Sequence, residues 1–271
     1  MKKALPLTFL TLLAIKFCCW AQTTELGKIQ SSLGKIKDSV QYVDALNRMA
    51  MLLYEKNIDS TFFYTVKARA TADRLGYEKG KADATNNLGV FFDIKGNLQL
   101  ALRYYNDAYI GYTKVKDSSN QVQAMMNIAM VYKELGKDQR AISHYNNALE
   151  FGKKLSKDSI LSLTIYNYLL QFPNQFKKAE KQAMVGQAGR IAQKYKDSRT
   201  MLAIEQLIAD DLIASGQRAT GLTMLAKTID SALAKQLYFV SMDLIMAIGD
   251  QLAETDASQA IGHYNKGLEI A

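Results

Sequence analysis

The two histidines, His144 and His263, are the side chains best suited to moving protons near neutral pH. Their setting argues against that work. Both stand at the same place in two copies of one motif, Ala141-Ile-Ser-His-Tyr-Asn-Asn-Ala-Leu-Glu and Ala260-Ile-Gly-His-Tyr-Asn-Lys-Gly-Leu-Glu, and so belong to distant parts of a repeating chain. A Gly-x-Ser-x-Gly elbow, a Gly-x4-Gly-Lys-Ser/Thr loop and a Gly-x-Gly-x-x-Gly turn are all missing, and two separated histidines cannot form a His-Glu-x-x-His zinc site. Cys18 and Cys19 are the only thiols, and no dense acidic loop offers a site for a hard cation. No catalytic residue, cofactor or metal is expected. The remaining chemistry is that of amides: Asn47, Asn86, Asn87 and Asn127 recur at roughly forty-residue steps. A carboxamide donates and accepts at once, which suits an extended peptide bond.

The elements that would carry these amides repeat. Lys-Asp-Ser occurs at residues 37–39, 116–118, 157–159 and 196–198, separated by two, one and one steps of about forty residues. The His-Tyr-Asn motif returns after about three such steps, with a weaker copy at Ala101-Leu-Arg-Tyr-Tyr-Asn-Asp-Ala. Each unit reads as two helices. Apolar residues in Asn87-Leu88-Gly89-Val90-Phe91-Phe92 recur at helical spacing, Gly96-Asn97 breaks the pattern, and a second helix runs through Ala101, Tyr105 and Ala108. The next unit repeats this with Ile128-Ala129, Tyr132, Gly136, Ala141, Tyr145 and Ala148. The small residues let helices approach and the tyrosines fill the gaps. Asp or Ser of Lys-Asp-Ser can cap the following helix, while its Lys suits the end of the preceding one. With only Pro6 and Pro173 among 271 residues, an all-β fold rich in turns is excluded.

These residues resemble the tetratricopeptide repeat family, with Leu88-Gly89, Phe92, Gly96, Ala101, Tyr105 and Ala108 in the places of its signature. Two units match strongly and four weakly, and the period near forty exceeds the family's usual thirty-four. The resemblance implies an all-α, right-handed solenoid of about six helix-turn-helix repeats, at 43–81, 82–121, 122–159, 160–201, 202–241 and 242–271. Residues 22–42, with Leu26, Ile29, Leu33 and Ile36 on one stripe, form a capping helix and linker.

In the family the first helix of each repeat lines a concave groove. By that carry-over the candidates for binding a peptide or protein are Asn47, Met51, Asp83, Asn86, Asn87, Val90, Asp93, Gln123, Met126, Asn127, Met130 and Lys133. The Lys/Arg/Asn clamp with which chaperone-binding members hold a C-terminal carboxylate is absent from these places. Replacing Asn87 and Asn127 by Ala is expected to weaken partner binding with little change in the helical melt.

Residues 1–21 have the layout of a secretory signal: Lys2 and Lys3, an apolar run from Ala4 to Ile15, and small residues before a cut after Ala21. The run is too short to span a bilayer as a helix. Cleavage would remove both cysteines and three lysines, lowering the net charge from +8 to +5 and leaving a poor candidate for nucleic acid. The expected protein is an exported, periplasmic scaffold that binds a protein or peptide without catalysis, with no membrane span in the mature chain. A second reading makes it the extracytoplasmic sensor region of a histidine kinase or transcriptional regulator. The sequence stops at the end of a repeat's second helix, which keeps that reading open.

Overall fold

The computed structural model describes residues 21–270, with side chains from residue 25; the proposed signal segment lies outside them except for Ala21, which opens the first helix. Among the described residues there are thirteen helices and no strand. A leading helix, α1 (Ala21–Leu33), precedes six hairpins. These are α2 (Ser39–Leu53) with α3 (Ile58–Leu75), α4 (Glu78–Ile94) with α5 (Leu98–Lys114), and α6 (Ser118–Glu134) with α7 (Asp138–Gly152). They continue as α8 (Ser159–Gln171) with α9 (Lys178–Lys194), α10 (Ser198–Ala214) with α11 (Arg218–Ala234), and α12 (Tyr238–Ala253) with α13 (Ala257–Ile270).

The long period has a simple origin. Helices α4, α5 and α6 each have 17 residues, and only residues 95–97 and 115–117 join them. Turns inside hairpins place Gly96, Gly136 and Gly216 at φ of 72°, 68° and 88°. Between hairpins the same left-handed position falls to Lys116 and Lys196, at 57° and 55°, despite a cost of roughly 1 kcal/mol for a residue with a Cβ. Both lysines open Lys-Asp-Ser, and the next residue caps the new helix: Asp117 accepts from the Asn120 N–H at 3.2 Å and Asp197 from the Thr200 N–H at 3.1 Å. Asp38 does the same for Gln41 at 2.9 Å. The recurring tripeptide is therefore the joint between repeats. Asp158 departs from it, taking Lys194 Nζ and the Tyr195 hydroxyl, both at 2.9 Å, in place of a backbone N–H.

Packing follows the small–aromatic alternation. A Cβ at Gly89 would lie 2.5 Å from the ring of Tyr105, which is buried between α4 and α6. Ala101, Ala108, Ala129, Ala141 and Ala148 are fully buried, and Tyr145 stacks on Tyr168 with centroids 4.7 Å apart. Such close approach is what the small residues permit.

The hairpins stack on a curve. Direct contact from one hairpin to the next element of the same kind joins α2 to α4, α6 to α8, α8 to α10, and α10 to α12. All are first helices, so they occupy the inside of the bend and the second helices the outside. The bend carries the first hairpin round to the last two. Arg199, on α10, donates to the Tyr54 hydroxyl at 2.7 Å and forms an ion pair with Glu55, both just beyond the end of α2. The Tyr54 ring meets Phe239 of α12 edge-on at 5.4 Å. These contacts close the concave face into a lumen at that edge.

Candidate ligand groove

The predicted groove residues lie on three consecutive first helices, but they divide into two sets. Asn47, Asn86, Asn87 and Asn127 are buried and bonded to one another between helices. The Asn47 amide donates to the Gly80 carbonyl at 2.9 Å; that of Asn87 donates to the Asn47 carbonyl at 3.2 Å; that of Asn127 donates to the Asn86 side chain at 3.3 Å. They form a ladder that joins successive repeats, so exchange of Asn87 and Asn127 must lower the melt rather than spare it. Met126 is also core, packed with Tyr145 and Tyr168. Partly exposed side chains remain at Met51, Asp83, Val90, Asp93, Gln123, Met130 and Lys133. Of these, Asp83 is held by Lys79 at 2.7 Å, and Lys133 bonds Asp138 at 3.1 Å while lying 4.6 Å from the Phe172 ring centre.

A shallow cavity on the inner face lies further along the stack. It has a volume of about 320 Å³ between α8, α10 and α12, lined by Leu170, Gln206, Asp210, Asp243, Met246, Ala247, Asp250 and Gln251. None of these was singled out from the sequence. The signal was nevertheless present: four forty-residue steps from Asp83, Asn86, Asn87 and Val90 lead to Asp243, Met246, Ala247 and Asp250. Three steps from Asn86 and Val90 lead to Gln206 and Asp210. The family signature fades in these repeats, so the groove register was not carried into them.

Burial without a cation sets the electrostatics of the inner face. Asp93 is pushed up to about 6 by burial and then by Glu134, against the stabilising Tyr105 hydroxyl that it accepts at 3.0 Å. Asp243 is likewise pushed up to about 6 by burial and Glu55, with Arg199 opposing. Asp243 keeps a large accessible surface although protein crowds it on all sides, as expected for a group facing a lumen. Burial also raises Asp210, opposed by Lys181, which bonds the neighbouring Asp211 at 2.7 Å. His144 stacks on Tyr132, and burial lowers its proton affinity. Among the described residues no three His, Cys, Asp or Glu side chains converge on a metal site.

Residues 80–154 match the tetratricopeptide repeat family model, and the six stacked hairpins form a helical solenoid of tetratricopeptide-like helix pairs. Solved structures share the fold at low identity. Aspartyl phosphate phosphatase F from Bacillus subtilis superposes with a TM-score of 0.71 at 16% identity, covering 96% of this chain and 70% of that one. The Rap conjugation gene regulator of the plasmid pLS20, in complex with the Phr* peptide, gives 0.76 at 11% identity over 92% and 68%. NprR in complex with its cognate peptide NprX gives 0.64 at 17% over 98% and 79%. A comparison with curated proteins finds no match.

Proposed function

We propose that this chain is an exported, non-catalytic scaffold that holds a peptide, or an extended segment of a protein, in the lumen of its solenoid. The observation that carries the reading is the concave face, bridged at one edge by Arg199, Tyr54 and Phe239. Its first helices place half-buried apolar and acidic side chains, rather than a catalytic constellation, along an open inner face. Two solved structures of the same fold hold peptides, which supports the choice of ligand class. Affinity along such a face comes from many modest contacts distributed over several repeats. Export rests on the signal-like residues 1–21 and predicts a mature species spanning 22–271 by intact mass.

The test is selection from an unbiased peptide library on the purified protein. Peptides should be enriched whose binding is lost with Met130→Arg on the inner face and kept with Ile110→Arg on α5, where Ile110 is 64% exposed. Enrichment indifferent to Met130→Arg, or no enrichment at all, overturns the groove assignment.

A further inference from the structure

The cavity between α8, α10 and α12 differs from the rest of the inner face in what its polar groups lack. Asp210 and Asp243 accept no hydrogen bond and close no ion pair among the described residues. Lys181, the nearest cation to Asp210, is spent on Asp211. Arg199, the cation near Asp243, is spent on Glu55 and Tyr54. Gln206 is 5% exposed, and its carbonyl end accepts the Tyr166 hydroxyl at 3.1 Å. The other end of that amide, its NH2, donates to no acceptor among the described residues, and Gln206 lines the cavity. A ligand carbonyl facing that NH2 can accept a hydrogen bond from it.

Leu170, Met246 and Ala247 provide apolar walls beside these groups. The carboxylates do not converge closely enough for a metal ion. An extended organic cation meets the arrangement better: an aliphatic stem lies along Leu170 and Met246, its charged head reaches Asp210 and Asp243, and a neighbouring backbone carbonyl takes the Gln206 amide. We infer that this cavity is the subsite for one arginine or lysine side chain of the peptide bound in the lumen. The chain as a whole is basic, at +8, so the sorting of unpaired carboxylates to this part of the inner face runs against its overall charge. The inference rests on the groove reading and adds the residue class that the groove selects.

A positional-scanning library of octapeptides, titrated against the full chain, tests it. One peptide position should favour Arg or Lys over the uncharged norleucine by about tenfold or more, the size of a charge-assisted pair partly shielded from water. The double substitution Asp210→Asn, Asp243→Asn should erase that preference while leaving the circular-dichroism melt in place. Asp230→Asn, on the outer helix α11, should leave it intact. Gln206→Leu should weaken basic and neutral peptides alike, because it removes a backbone contact. Peptide binding with no basic preference, or a preference that survives the double substitution, overturns the subsite and leaves the groove standing. Failure of every peptide to bind overturns both.

Discussion

The inner face of the first three hairpins and that of the last three occupy the same register of one repeat, yet they use their polar groups differently. In the first half, Asn47, Asn86, Asn87 and Asn127 bond one another across neighbouring helices. In the second half the equivalent steps carry Tyr166, Asn167, Gln206, Asp210, Asp243 and Asp250; the Tyr166–Gln206 bond and the Asn167 amide on Met126 Sδ at 3.5 Å continue the ladder, whereas Asp210 and Asp243 make no such bond. Polar groups paired with each other hold the solenoid together; polar groups left facing a cavity are available to a ligand. The unpaired polar groups thus lie where the repeat signature is weakest, because the signature records packing.

The largest expected effect concerns the contact that joins the two halves. Glu55 keeps only 6% of its side chain exposed, and its partner Arg199 keeps 29%. Arg199→Ala leaves a buried carboxylate uncompensated, for which about 3 kcal/mol is the expected loss. A large fall in melting temperature should follow, and adding Glu55→Gln to Arg199→Ala should recover part of it. No fall would mean that the first and last hairpins do not hold each other.

Next in size is a matched pair of glycines. At Gly89 an added Cβ would sit 2.5 Å from Tyr105, and at Gly249 it would sit 2.4 Å from Tyr264. The distances agree but the neighbours do not. Each tyrosine bonds an aspartate, Tyr105 to Asp93 and Tyr264 to Asp250, but Tyr105 is sealed between α4 and α6 whereas Tyr264 is only half-buried. Gly89→Ala should cost about 2 kcal/mol by overpacking and Gly249→Ala less than about 1 kcal/mol. Equal losses in chemical denaturation would show that the two halves are equally rigid. A smaller effect, about 1 kcal/mol, is expected of Asn87→Ala, which removes the bond to the Asn47 carbonyl.

Much of this architecture is legible in the residues. Lys-Asp-Ser at forty-residue steps marks the joints because one side chain must tolerate a left-handed backbone and the next must cap a helix. Gly89 with Tyr105 shows the close helix approach for a similar reason: shape leaves a local trace. Two features leave no such trace. Whether Asn87 faces a ligand or a neighbouring Asn depends on how the helices are rotated against each other, and identity does not reveal rotation. The meeting of Arg199 with Tyr54 spans 145 residues and depends on curvature accumulated over four repeats, which no local pattern encodes.

The smallest expected change in stability belongs to Asp243, and it is the most informative about what the second half is for. Its folded-state value, pushed up to about 6, stands above the usual value of 3.8. Between those two values the folded chain holds a proton that the unfolded chain releases. Its contribution to stability is therefore fully present below pH 4, declines as pH rises, and is gone above pH 6. Asp243→Asn should accordingly leave stability at pH 8 unchanged or slightly higher, since it removes a charge that Glu55 repels and that accepts no bond. Ligand binding should run the other way. A cationic side chain needs the ionised carboxylate, so affinity for a basic peptide should fall as pH drops through 6, and Asp243→Asn should flatten that profile. Burial raises both Asp243 and Asp210 above the usual carboxylate value, with Arg199 facing the first and Lys181 the second, while Asp250 is tied to the Tyr264 hydroxyl at 2.7 Å. A variant that loses stability at pH 8 would show instead that Asp243 has a structural partner, and the contrast between a bonded half and an open half would fail at its most exposed point.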